Sequence, residues 1–310
     1  MFGGRRMRFT AGAVAFFLAV AGVAAWCATR DSGPAGGRAA DEESGDMALR
    51  PLTTQESSLL HRAEQILLRD CMRKRGFTYR MVPENPIPEA REFPYVIDDV
   101  TWARQHGYGS DIDRKVERIR AADPNQKYFR SLSPERRAAA LVAANGARPK
   151  GLTALPPDGV RLQRSDEGCR TESERALYGD VAAWFEATST TEALPDMARR
   201  RVIADPRFSR ATRPWSACMR EAGHSYATPA DLREKLPPRE RARLGRRLVP
   251  LAVTEAECAR SSGLARVANE LDHQYRRQLE RQYRRAVETE QRLQLAALTR
   301  ARPVIADGGA

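Results

Sequence analysis

Two groups of residues in this 310-residue chain have the types and spacing for chemistry. The first is the cysteines. Cys71, Cys169, Cys218 and Cys258 form an even set that suits two disulfides in an oxidising compartment. No Cys-x-x-Cys and no Cys/His pair at ligand spacing accompanies them, so zinc is the poorer reading and no metal or cofactor is expected. The second group is Asp98 and Asp99 beside Trp102 and His106, with Phe93 and Tyr108 close in sequence. Paired carboxylates next to an imidazole suit acid–base hydrolysis, and the aromatics suit the lining of a carbohydrate or peptide groove. Helix capping explains the aspartates more simply, and a local apolar core explains the rings. No nucleophile–base spacing supports the hydrolytic reading, so no catalytic residue is assigned. Trp102, His106, Tyr108 and Asp99 stand as binding candidates.

The cysteines sit in a repeat. Trp215-Ser-Ala-Cys-Met-Arg-Glu-Ala-Gly-His-Ser-Tyr226 echoes Leu68-Arg-Asp-Cys-Met-Arg-Lys-Arg-Gly-Phe-Thr-Tyr79, with Cys-Met-Arg, glycine and tyrosine in the same register. Cys169 follows the first copy and Cys258 the second, each read as the head of a helix. The repeat therefore favours the pairs 71–169 and 218–258, worth roughly 4–5 and 4 kcal/mol by loop-closure entropy. The pairing 71–218 with 169–258 would instead make the copies face each other. Met72 and Met219 read as core filler beside the bridges.

The elements that must carry these residues are mostly helical. Thr53 or Thr54 caps a helix running to Arg75, with Leu59, Ala63, Ile66, Leu67 and Cys71 on one face and Gly76 as its stop. Residues 80–97 hold Pro83, Pro86, Pro88 and Pro94 and must be extended chain. Asp98 or Asp99 caps a short helix from Val100 to His106. Residues 109–130 read as a mobile polar excursion, and Ser133-Pro134-Glu135 opens a helix to about Ala144. Leu152–Leu155, Pro-Pro-Asp-Gly159 and Val160–Gln163 form an accessory hairpin. A helix runs from Cys169 through Phe185. Helices of the second half are interrupted at Asp205-Pro206, and Thr228-Pro229 and Pro237-Pro238 open two short ones. Thr254-Glu-Ala-Glu257 reads as a capping box. From there to about Thr299 no proline intervenes, and with the apolar stripe from Leu264 to Ala297 this predicts a helix of about 45 residues, nearly 70 Å long at 1.5 Å per residue. Gly263 is a candidate break in its first turns. Glu280–Arg284 and Glu288–Arg292 support this helix, which packs back along the first module or projects as a coiled-coil arm.

The expected fold is therefore mainly α: a disulfide-stapled helical body of two related modules, with one small β-hairpin and a long C-terminal helix. Residues 51–195 form the first module, with the hairpin near 151–163, and 196–303 the second.

Arg5, Arg6 and Arg8 precede an apolar run from Phe9 to Ala28. Residues 1–29 thus read as a cleaved signal peptide or a membrane anchor, with the body outside in either case. Residues 30–50 read as a flexible, Gly-rich linker. The chain has 52 basic against 40 acidic residues, a net charge of +12, but only five of the basic residues are Lys. That Arg-for-Lys bias and the abundant Ala point to coding drift rather than to a nucleic-acid site. The Arg239–Arg247 run lacks the interleaved aromatics that nucleic-acid stacking needs.

Three stretches are similar to uncharacterised exported proteins of Streptomyces and related actinobacteria: Tyr95–Gly109, Gly168–Asp180 and Trp215–Tyr226. The resemblance covers roughly residues 50–300. It implies an envelope or secreted protein and no catalytic residues. The expected function is an exported cell-envelope binding or scaffold protein without catalytic activity. Its partner is an envelope protein or an anionic envelope polymer, not nucleic acid, and it meets the membrane through the N-terminal segment. The competing reading is a secreted hydrolase of an envelope polymer using Asp98, Asp99 or His106.

Overall fold

The computed structural model describes residues 48–308. The stretch read as a signal or anchor, and most of the expected linker, lie outside that range. Helix α1 (Thr54–Lys74) starts at a capping box: Glu56 N–H donates to the Thr53 hydroxyl at 3.2 Å, and Thr53 N–H donates to the Glu56 carboxylate at 2.8 Å. It ends at Gly76, whose φ of 78° is left-handed. Helix α8 (Pro206–Glu221) ends the same way at Gly223, φ 87°. In both copies the amide after the glycine donates to the methionine carbonyl, Phe77 to Met72 at 2.9 Å and His224 to Met219 at 2.8 Å. Both methionines are buried. The sequence repeat is thus a repeated helix terminus.

Disulfides join Cys71 to Cys169 and Cys218 to Cys258, with Cα separations of 5.5 and 5.7 Å. The two copies differ in where the second cysteine falls. Cys169 lies in the first turn of α6 (Gly168–Tyr178), but Cys258 lies in the last turn of α11 (Val249–Ser261). The expected capping box at Thr254 is interior helix. Pro250 sits at the true start, and the Thr254 hydroxyl donates back to the Pro250 carbonyl at 3.0 Å.

Between these helices the chain is more regular than its polarity suggested. Helix α2 (Val100–His106) is followed by α3 (Ser110–Ala122) and α4 (Pro124–Ser131), where a mobile excursion was expected. Ile112 and Ile119 of α3 join Ile87, Ile97 and Trp102 in one apolar cluster, and Asp123 caps α4 through Asn125 N–H at 2.8 Å. Helix α5 (Pro134–Asn145) and the antiparallel strands β1 (Leu152–Ala154) and β2 (Leu162–Arg164) lie where the sequence placed them, with Thr153 opposite Gln163. Helix α6 stops at Gly179 rather than reaching Phe185. Asp180 accepts the amides of Ala182 and Ala183 and starts α7 (Val181–Ala204), which carries Pro195 inside it and runs across the expected module junction. Helices α9 (Pro229–Lys235) and α10 (Pro238–Leu244) begin at their Pro signals.

The expected C-terminal helix is broken twice. Gly263 (φ 77°) separates α11 from α12 (Leu264–Gln282), and Tyr283 separates α12 from α13 (Arg284–Gly308). The break at Tyr283 leaves Arg284 paired with Glu288 at 3.6 Å. Together α12 and α13 run antiparallel along α7. Tyr275 donates to Asp205 at 2.8 Å, Arg201 to Gln282 at 3.3 Å, and Arg300 to the Leu177 carbonyl at 2.7 Å. Leu279 is fully buried against Leu194 and Ala198. Helix α13 also packs on α1 and α6, where Leu60, Ala63, Leu177, Leu293 and Leu298 form a core. It is no projecting coiled-coil arm; it packs back along the first module.

Candidate functional site

The four binding candidates of the 98–108 stretch are each engaged by local structure. Asp99 is the N-cap of α2: one carboxylate oxygen accepts Trp102 N–H at 2.9 Å and the other accepts Arg91 at 2.7 Å. The His106 ring bonds Asp111 at 2.7 Å. Trp102 is buried, donates its indole N–H to the Glu89 carbonyl at 3.0 Å, and packs between Phe93 at 4.8 Å and His106 at 5.1 Å. The Tyr108 hydroxyl turns inward and donates to Glu255 at 2.6 Å. Trp102, His106, Tyr108 and Asp99 therefore cap and pack the α2 region; they do not converge on an open cleft.

Glu255, which lies between Thr254 and Glu257 of the expected capping box, is 1% exposed. Its second oxygen accepts Ile97 N–H at 3.2 Å. Burial pushes the Glu255 carboxyl above its ordinary range, despite the Tyr108 and Ile97 bonds and the pull of Arg233. Burial, reinforced by Glu255, also pushes the Tyr108 hydroxyl far above its usual value. The signal was present in sequence: Leu251, Glu255, Cys258 and Ala259 share one face once α11 is allowed to start at Val249.

The cavity nearest these candidates lies outside them. A groove of about 340 Å³ runs between the Pro-rich segment Arg91–Val96, with Asp98, and the small residues Ala265 and Ala268 of α12, with Asn269. Its wall is irregular, non-helical chain, bent at Pro94 and Tyr95 rather than extended as expected, and four ties hold it. Arg233 donates to the carbonyls of Phe93 (2.7 Å) and Pro94 (3.3 Å), Tyr95 donates to Asp272 (2.6 Å), and Ile97 reaches Glu255. Asp98 accepts the Asn269 side-chain amide at 3.5 Å, the outer limit of a hydrogen bond. Of the sequence candidates, Phe93 and Asp98 line this groove. Asn269 and the two alanines were not foreseen, since the contact of α12 with residues 91–98 is set by the tertiary fold.

Elsewhere, Glu172 lies against the Cys71–Cys169 bridge, but oxidised sulfurs offer a metal no thiolate. The two disulfides suit an oxidising, extracytoplasmic environment. No helix among the described residues is long and apolar enough to cross a membrane. Comparison with protein-family models, with curated proteins and with solved structures gave no match.

Proposed function

We propose that this chain is an exported cell-envelope binding or scaffold protein that meets its partner at the groove between residues 91–98 and α12. One observation carries the reading: the groove has a tethered wall and a carboxylate, Asp98, that among the described residues makes a single marginal bond. Asp99 and His106, by contrast, are engaged in capping and side-chain bonds, a poor basis for acid–base work. The resemblance to exported actinobacterial proteins and the two disulfides support the location, with residues 1–29 as signal or anchor.

The test is capture of native envelope material by the tagged full chain, set against Phe93→Ala and Asp98→Asn variants. Loss of capture with retained folding supports the groove, and unchanged capture removes it. Protease treatment of intact protoplasts should degrade the body; complete protection would refute export.

A further inference from the structure

We infer that the arginine face of α10 and the turn after it binds a linear phosphodiester polymer, with phosphates seated in the forks of Arg239, Arg246 and Arg247. The face shares no lining residue with the groove, and the inference goes beyond the reading above.

The fold makes this face. Leu236, Leu244 and Leu248 pack into the cluster around Trp215 and Leu232. Helix α10 and the 3-10 turn Gly245–Leu248 are thereby anchored by their leucines and leave Arg239, Arg243, Arg246 and Arg247 exposed. Gly245, with φ 52°, bends the chain between them and brings the turn against α10. Helix α3 packs on both elements, and a Cβ at Gly245 would lie 3.9 Å from the Ser110 hydroxyl. One turn along from Ser110 stands Arg114, also exposed. The tertiary structure thus adds a cation from α3 to the arginines of residues 239–247.

Missing counter-charge sets this face apart. Elsewhere arginines sit among carboxylates: Asp196 holds Arg199 and Arg200 on α7, and on α12 Glu270 holds Arg266 and Asp272 holds Arg276. Across residues 239–247 five arginines meet one carboxylate, Glu240, which Arg243 takes. Arg114, Arg239, Arg246 and Arg247 have no ion-pair partner among the described residues, and the buried Nε–H of Arg241 finds no acceptor. The unpaired carboxylates of α3 and α9, Asp113 and Glu234, do not balance them. A bias for Arg over Lys does not by itself remove carboxylates.

The charge calls for an anion, and the residue types present narrow it. Guanidinium forks match phosphate oxygens two at a time. A bilayer contact would present large apolar side chains for insertion, and none of the exposed ones lies on α10 or the turn. Base stacking needs aromatic rings, and residues 238–248 contain none. Cations strung along a helix and the turn after it suit a linear chain with a charge at every repeat better than one compact anion.

The experiment holds the full chain in phosphatidylcholine nanodiscs. The probe is a fluorescein-labelled abasic deoxyribose-phosphate oligomer, a phosphodiester chain without bases. Oligothymidylate and polyglutamate of the same length, and liposomes containing phosphatidylglycerol, are the other arms. Fluorescence anisotropy should show saturable binding of the abasic chain at low salt. The triple variant Arg239→Gln, Arg246→Gln, Arg247→Gln should weaken it at least about tenfold and flatten the dependence of log Kd on log salt by about 2, at about 0.7 per lost phosphate contact. Equal charge loss at exposed arginines elsewhere, Arg62→Gln, Arg210→Gln, Arg302→Gln, should change binding less than about twofold, because distant charges are screened. Thermal unfolding of both triple variants should match the wild type, since every replaced side chain is exposed. The proposal is overturned by any of five results: no saturable binding, equal loss in the two triple variants, tighter binding of oligothymidylate, equally tight binding of polyglutamate, or a larger effect of the first triple variant on liposomes than on the abasic chain. Phe93→Ala and Asp98→Asn should leave this binding intact, so failure of the groove and failure of this face are read separately.

Discussion

Tyr108 and Glu255, 147 residues apart, meet at 2.6 Å in the interior, and the same carboxyl accepts the amide of Ile97 at 3.2 Å. Ile97 lies just before α2 and Tyr108 just after it. One buried carboxyl on the disulfide-bearing helix α11 therefore holds both ends of α2, and with them the wall of the groove. Removing the Tyr108 hydroxyl leaves a buried acceptor short of its donor. Tyr108→Phe should cost about 1–3 kcal/mol in urea unfolding.

The same carboxyl fixes the sign of a pH dependence. Burial raises Glu255 above its unfolded value, so its stabilising contribution is complete below the unfolded carboxyl value of about 4.3 and is lost as pH rises through the raised folded value. Burial raises Glu64 and Glu290 in the same direction. The wild-type chain should lose stability relative to Glu255→Gln as pH climbs from about 4 toward neutrality. The unfolding free energies of both proteins across that range measure it, and a pH-independent difference would show that Glu255 does not titrate in the interior.

Two glycines separate backbone strain from steric clash. Gly223 has φ 87° and open space where a Cβ would stand, so Gly223→Ala should cost about 1–2 kcal/mol for left-handed backbone alone. Gly168 has φ 90°, and a Cβ there would lie 2.3 Å from the amide nitrogen of Gly146, where the end of α5 abuts the start of α6. Backbone cannot move aside as a side chain can. Gly168→Ala should cost more than about 3 kcal/mol, from strain and overpacking together. Thermal unfolding of the two variants side by side should show the gap.

The disulfides close 98 and 40 residues, and converting each pair to serine should cost roughly 4–5 and 4 kcal/mol respectively. Non-reducing peptide mapping should recover Cys71 with Cys169 and Cys218 with Cys258. A peptide linking Cys71 to Cys218 would contradict the fold.

What the amino-acid order determined by itself is what depends on near neighbours or on the repeat. Thr53, Asp99 and Ser133 cap helices because a short side chain reaches an amide two or three residues away. Gly76 and Gly223 end helices because they tolerate positive φ, and the repeated Cys-Met-Arg element carried enough information to pair the cysteines. The tertiary structure decided everything that rests on distant partners. The polar run 109–130 becomes two helices because Ile112 and Ile119 find the cluster around Trp102, a few apolar residues that only a neighbouring surface makes sufficient. The amphipathic stripe after Gly263 specifies that one face is buried but not against what, and the antiparallel partner proves to be α7, through Leu194 and Ala198. Glu255 has no role of its own in the capping box expected at Thr254–Glu257; in the interior it serves as an acceptor for groups more than a hundred residues away. The groove likewise has one wall from residues 91–98 and one from α12, so no single stretch of sequence contains it.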